Sequence, residues 1–231
     1  MIPAARESFA AAARGKGAPT ARDYVQSGLV ALFDGIENAG WGVHDPSATT
    51  WVNLAGGPAM TFNGGLTVGD NYMRTTSGYG EAALASALPS TNLTIEFVAA
   101  RNFTFGSSTA FYSESMSPST FTYASILFYT NGQIYYNRKS QQWYVAQSNF
   151  PAGVAKHFSF SVGGGNALAV MGDNVLKSGA MAAQTQTIYK LRTTYTGGSD
   201  KLIHSLRRYS RALTAAEIAA NYAIDKERFG V

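Results

Sequence analysis

LIHSLRRYSRALTAAEIAANYAIDKERF, residues 202–229, reads as an extended segment that breaks between Ser210 and Leu213 and resumes as a helix. The helix start is spelled out. Thr214 and, three residues on, Glu217 form a capping box, in which each side chain satisfies a backbone donor that the first turn would otherwise leave bare. Leu213 before the cap and Ile218 after it supply the two halves of a hydrophobic staple. Ile218 and Tyr222 fall one turn apart and predict the face that docks on β-structure. Asp225, Lys226, Glu227 and Arg228 predict a solvated end, with basic residues suitably near the C-terminus.

Upstream of this clasp the chain reads as short strands separated by turn formers. Residues 24–33 predict a first strand, and 60–62, 66–68 and 72–74 predict three more, punctuated by Asn63-Gly64-Gly65 and Gly69-Asp70-Asn71. In residues 94–100, Ile95, Phe97 and Ala99 alternate with Thr94, Glu96 and Val98, the pattern of a half-buried strand. Phe158, Phe160 and Val162 alternate in the same way with His157, Ser159 and Ser161, predicting one core face and one polar, solvent-facing side. Asn131-Gly132 between two aromatic runs predicts a two-residue hairpin with a type I′ turn, pairing Tyr129 with Ile134, Phe128 with Tyr135 and Leu127 with Tyr136. Both faces of that hairpin are then apolar or aromatic, so one needs cover from a loop, a partner chain or a ligand. Residues 188–193 and 202–209 bring the total to about a dozen strands, spaced as in two packed antiparallel sheets.

Composition narrows the function classes. Among 231 residues there is no cysteine, so disulfides and thiolate metal sites are excluded, and three histidines argue against zinc. No run approaches the roughly 18 apolar residues of a membrane span, and the first residues lack the apolar core of a signal peptide. The net charge of +4 is split. Residues 1–23, Ala-rich and interrupted by Gly15, Gly17 and Pro19, hold four basic residues (Arg6, Arg14, Lys16, Arg22) against two acidic ones (Glu7, Asp23). They predict a flexible basic arm ahead of a single domain, 24–231. The domain itself is nearly neutral and carries no basic stripe, which argues against nucleic acid.

Three pieces of the chain resemble a known fold family. They are Ser27-Gly-Leu-Val-Ala-Leu-Phe-Asp-Gly35, the late turn Gly172-Asp173-Asn174, and Leu206-Arg-Arg-Tyr-Ser-Arg-Ala-Leu-Thr214 with Glu217-Ile218 after it. Their order is similar to that of laminin-G-like members of the concanavalin A-like jelly rolls. Arg208 departs from the pattern, because an apolar residue is usual there. The resemblance implies an all-β fold, a two-sheet antiparallel jelly-roll sandwich with a short C-terminal helix. The opening, with Asp34-Gly-Ile-Glu-Asn38, is also similar to proteins of gut bacteria and of the phages or prophages that infect them. In those proteins such domains sit in surface or virion proteins behind a short basic leader.

A search for chemistry returns little that is catalytic. Glycoside hydrolysis needs one carboxylic acid and one carboxylate flanking the scissile bond, and no predicted strand carries two carboxylates. No Gly-x-Ser-x-Gly elbow is present. His157 beside Ser159 has no third group placed to orient it. Gly163-Gly164-Gly165 precedes a strand and is read as a hairpin loop. Calcium would need carboxylates and carbonyls at loop ends. Asp70 and Asp173 are the weak candidates, although both also satisfy turn chemistry.

Sugar binding asks for an aromatic platform with amides, carboxylates or hydroxyls beside it. Trp41, His44, Asp45 and Trp51 in the first long loop form one such set. Tyr112, Tyr135, Tyr136, Asn137, Trp143 and Tyr144 around the hairpin form another, and Trp143 stands out for its polar flanks, Ser140-Gln-Gln and Gln147-Ser-Asn149. The ligand-binding expectation rests on Trp41, His44, Asp45, Tyr135, Asn137, Trp143 and Tyr144. Together these readings predict a non-enzymatic, lectin-like module without a required cofactor, located on a virion or cell surface. Its partners are a glycan or host-surface receptor and other subunits of its assembly. The rival expectation is a structural virion subunit, for example a homotrimer, whose aromatic face is an oligomer interface.

Overall fold

Strand β16 (Lys201–Tyr209) lies at the centre of the molecule, pairing along one edge with β7 (Leu93–Arg101) and along the other with β5 (Tyr72–Thr75) and β1 (Leu29–Asp34). The computed structural model describes residues 18–76, 78–101, 108–117, 123–129, 133–138, 141–147, 153–182, 186–193 and 200–231. Residues 1–17 of the basic arm, the Asn131-Gly132 turn, and Ser140 and Ser148-Asn149 beside Trp143 lie outside them.

Two eight-stranded antiparallel sheets face each other. In the first, β16, β5 and β1 are joined on one side by β4 (Leu66–Gly69). On the other side, β7 is followed by β12 (Lys156–Gly163), β13 (Asn166–Met171) and β14 (Asn174–Ala180). The second runs β11 (Gln141–Gln147), β10 (Gln133–Arg138), β9 (Tyr123–Tyr129), β8 (Ser108–Ser115), β15 (Thr187–Arg192), β6 (Tyr79–Pro89), β3 (Met60–Asn63) and β2 (Thr50–Trp51). This is the sandwich expected from the sequence, closed by helix α1 (Ala215–Phe229).

Between the sheets, side chains from alternate positions build an apolar core: Ile95, Phe97 and Ala99 from β7, Phe158, Phe160 and Val162 from β12, and Ile126 and Phe128 from β9. Its aromatic centre is Phe97, stacked on Phe111 at 5.9 Å and on Phe158 at 5.3 Å, with Phe128 edge-on to all three. Trp51, Tyr112 and Tyr136, each in one of the aromatic sets above, are core residues at 0–1% exposure. The Trp51 indole donates to the Asp34 carbonyl at 2.8 Å.

Arg208 is also fully buried and reaches across to β8 of the opposite sheet. Its Nε donates to Glu114 Oε1 at 2.6 Å, and the Tyr112 hydroxyl donates to the same oxygen at 2.8 Å. A cross-sheet ion pair thus stands at Arg208, where the resemblance implies an apolar side chain. Burial alone would lower the arginine's pKa, but Glu114 outweighs it and the pKa is raised.

The helix start matches its sequence. Thr214 Oγ1 accepts from the Glu217 N–H at 3.2 Å, the Thr214 N–H donates to Glu217 Oε2 at 2.8 Å, and Leu213 and Ile218 are both buried in one cluster. Gly230 ends the helix at φ 70°, donating to the Lys226 carbonyl. The helix end departs from expectation. Asp225 is fully buried, and Arg228 bonds Asp34 at 2.7 Å and Glu37 at 3.2 Å.

The first strand also begins later than the sequence pattern suggests, at Leu29, because Tyr24 and Val25 are taken up beneath the helix. Residues 20–23, read from the sequence as part of the flexible arm, are fastened to the sandwich. Thr20 caps a short 3-10 turn, Ala21–Asp23, and the Ala21 N–H donates to Glu37 Oε1 at 3.0 Å.

Candidate functional site

The outer faces of the sheets differ, and the difference starts in the hairpin register. Ile134 pairs with Phe128, Tyr135 with Leu127 and Tyr136 with Ile126, one residue out from the pairing that a two-residue turn would give. Five residues, 129–133, therefore separate the last opposed pair, Phe128 and Ile134. The side-chain period in a strand is two, so a one-residue slip exchanges faces. Phe128, Ile134 and Tyr136 go to the core, and Tyr129 and Tyr135 go outward.

On the neighbouring strand, Tyr144 stands between core-facing Trp143 and Val145. The result is a row of three phenol rings across β9, β10 and β11. Tyr129 and Tyr135 lie 5.2 Å apart edge to face, and Tyr135 and Tyr144 lie 5.2 Å apart and tilted. Tyr144 is 40% exposed. Asn137 shares the outer face by register, and its Oδ1 has no hydrogen-bond partner. The Tyr135 hydroxyl reaches Gln133 Oε1 at 3.4 Å.

Of the residues singled out in the sequence, Tyr135, Asn137 and Tyr144 are thus brought together, with Tyr129 as an added member. Trp143 faces the other way, packed against Phe160 at 5.5 Å between ring centroids. Lys177 of β14 places its ammonium 4.5 Å from the Trp143 ring and donates to the Tyr144 carbonyl at 2.5 Å, tying the edges of the two sheets together.

Trp41, His44 and Asp45 belong to a separate loop. The Trp41 ring is half-buried beside Tyr24, Leu32 and Leu54 and is covered by the Arg22 guanidinium at 4.5 Å. Asp45 is engaged internally. Its carboxylate accepts from the Ser47 hydroxyl and N–H, which hold its pKa below the ordinary value, and Asn38 clasps its main chain at 2.8 Å on both sides. His44 is exposed. Asp70 and Asp173 are exposed, and among the described residues no three His, Asp or Glu side chains gather as a metal site would require.

The outer face of the first sheet holds the feature that sequence reading missed. His157, Ser159 and Ser161, together with Thr94, Glu96 and Arg207, form a polar stripe that helix α1 buries. Arg207 makes a two-pronged pair with Asp225 at 2.8 and 2.6 Å and reaches Glu96 at 3.0 Å. Its guanidinium lies 4.1 Å from the Tyr24 ring, and the Tyr24 hydroxyl donates to Asp225 at 2.7 Å. Asn221 adds a bond to Glu96 at 2.7 Å and accepts from the Val25 N–H at 2.9 Å.

Burial would raise the Glu96 pKa, but Arg207, followed by His157 and Asn221, holds it below the ordinary value. Burial raises the Tyr24 pKa well above its usual range, and Asp225 adds to this. The sequence signal was the helix stripe Ile218, Asn221, Asp225, whose polar members hydropathy assigns to water. Arg207 is the cation shared by both acids, so the cluster is a clamp between the helix, the residues around Tyr24 and the sheet.

No protein-family model matches the chain, and no curated protein does. Solved structures do. Trypanosoma rangeli sialidase aligns with a TM-score of 0.64 at 10% identity over 92% of this chain, and the same enzyme in complex with sialic acid aligns with 0.64 at 12% over 98%. A structure of botulinum neurotoxin type C, reported with the statement that its cell entry depends on interaction with two ganglioside molecules, gives 0.66 at 8% over 86%. The chain spans 34–35% of the sialidase chains and 51% of the neurotoxin chain. At these identities the likeness is one of fold: a β-sandwich.

Proposed function

We propose that this chain is a non-catalytic glycan-binding module, and that the Tyr129, Tyr135 and Tyr144 row is its binding platform. The row carries the reading. Phenol rings offer flat apolar surface to the C–H face of a sugar, while their hydroxyls and the Gln133 amide can meet its hydroxyls. Sandwiches of this fold occur in a sialidase solved with sialic acid and in a toxin whose entry depends on gangliosides, which supports a carbohydrate ligand here as well. A binding role in place of a hydrolytic one fits the acids of the two buried clusters, since Glu96, Asp225 and Glu114 are all engaged by arginine. The setting we propose is a virion or cell-surface assembly, on the strength of the basic leader and the Asp34-Gly-Ile-Glu-Asn opening.

A glycan array probed with the purified protein, alongside its mass in solution, tests the reading. A protein that binds a defined set of glycans, and loses them on Tyr144→Ala, supports it. No glycan bound together with a stable trimer would replace it with the structural-subunit reading, the tyrosine face then being a subunit interface.

A further inference from the structure

Where helix α1 passes the turn between β13 and β14, it leaves the groove beneath it partly unfilled. A cavity of about 250 Å³ remains, walled by Lys156, His157, Met171, Asp173, Asn174 and Tyr222. His157 is 1% exposed, yet neither ring nitrogen makes a hydrogen bond. Nε2 stands 3.6 Å from Glu96 and 3.8 Å from Asp225, too far for one. Buried polar groups are ordinarily satisfied, and while Nε2 faces the two carboxylates, Nδ1 has no partner and is the ring atom that a polar ligand would complete.

The other walls narrow the chemistry. Tyr222 is stacked on His157 at 5.2 Å, and the Lys226 ammonium lies 4.5 Å from its ring, so its hydroxyl is the function left to offer. Gly172, at φ 58°, lets the turn come in close under that hydroxyl, since a Cβ there would sit 3.1 Å from it. Lys156 and Asp173 bring opposite charges, and Asp173 is already 3.7 Å from Lys226. A lining with donors and acceptors but balanced charge suits a neutral ligand with several hydroxyls. The volume falls just below the roughly 300–1,000 Å³ of pockets for drug-sized molecules, which limits the occupant to about one ring.

We propose that this cavity binds a small uncharged polyhydroxylated molecule, a single pyranose or a polyol of that size. Asn174, Tyr222 and His157 meet its hydroxyls. The site is on the first sheet and stands or falls independently of the tyrosine row. Saturation-transfer NMR with galactose, N-acetylglucosamine, glucose and glycerol tests it on wild type, Asn174→Trp and Tyr144→Ala. Asn174 is exposed at the mouth, so the tryptophan plugs the cavity without touching the buried ion pairs. The expected result is transfer to at least one of these molecules that Asn174→Trp abolishes with the melting temperature unchanged. Were Asn174→Trp itself to unfold the protein, His157→Gln would replace it in the same measurement. Transfer to none of them in wild type, or transfer that survives with the cavity plugged, overturns the proposal. Tyr144→Ala reports separately on the tyrosine row, so the two readings can fail one at a time.

Discussion

On the outside of the first sheet, Glu96, His157, Ser159, Ser161 and Arg207 are sealed beneath helix α1; on the outside of the second, Tyr129, Tyr135 and Tyr144 form an aromatic row that reaches solvent at Tyr144. The polar stripe is the hidden one, and its ion pairs bind a helix to a sheet. The aromatic stripe is the more open one, its rings packed on one another across three strands. Burying charge costs several kcal/mol per ion before pairing returns it, so the first face carries a demanding arrangement for architecture. A partly exposed aromatic row carries no comparable burial of charge, which fits the recognition role proposed for it.

The sharpest way to break the contrast is to unpair the hidden face. Arg207→Met leaves Glu96 and Asp225 facing each other without their shared cation, and the expected loss is about 3–5 kcal/mol in urea unfolding. A loss under about 1 kcal/mol would mean the cluster is not a clamp. Arg208→Leu is expected to cost a similar amount, about 3–5 kcal/mol, by stranding Glu114 in the core. Here the double variant Arg208→Leu/Glu114→Leu should recover most of it, because apolar side chains can replace a buried pair with little net change. If the double variant is as unstable as the single ones, the pair is needed for more than its mutual charge.

How much of this was legible in the sequence depends on whether a local rule sufficed. The capping box at Thr214 and Glu217, the staple and the alternating strands follow from short-range chemistry and are found as read. The burial of His157 does not, because alternation says only that a strand has two faces and cannot say that a helix more than fifty residues later covers the polar one. Nor could spacing alone show that Asn221 and Asp225 point inward, since their partners Glu96 and Arg207 come from different strands. The tyrosine row was half legible. Tyr135 and Tyr144 were singled out, but a two-residue turn at Asn131-Gly132 would have sent Tyr135 to the core beside Phe128, and only the observed register puts it outside. Arg208, which departs from the pattern the sequence resembles, makes sense only once Glu114 is seen across the sandwich.

Smaller effects follow at the helix start. Thr214→Ala should cost about 1 kcal/mol by removing the cap. The Glu217 carboxyl is held down to about 2, chiefly by its hydrogen bond from Arg211 and then by the Thr214 N–H. A folded-state pKa below the ordinary 4.5 stabilises the fold fully above that value and loses its contribution as pH falls toward 2. Partial exposure keeps the effect small. Glu217→Gln should therefore flatten the acid limb of a melting-temperature profile between these values. An unchanged slope would remove Glu217 from the account of acid sensitivity. Smallest of all, Tyr144→Ala should move stability by no more than about 0.5 kcal/mol, as for other surface substitutions.

That last variant also gives the most direct test of the central claim, which is that one outer face holds the protein together and the other binds. Calorimetric titration of a glycan found on the array, into wild type, Tyr144→Ala and Thr214→Ala, with a melting curve for each, separates the two. The predicted result is a double dissociation: Tyr144→Ala weakens binding by roughly tenfold or more with its melting temperature unmoved, and Thr214→Ala lowers the melting temperature with its affinity unmoved. Full affinity in Tyr144→Ala would contradict it.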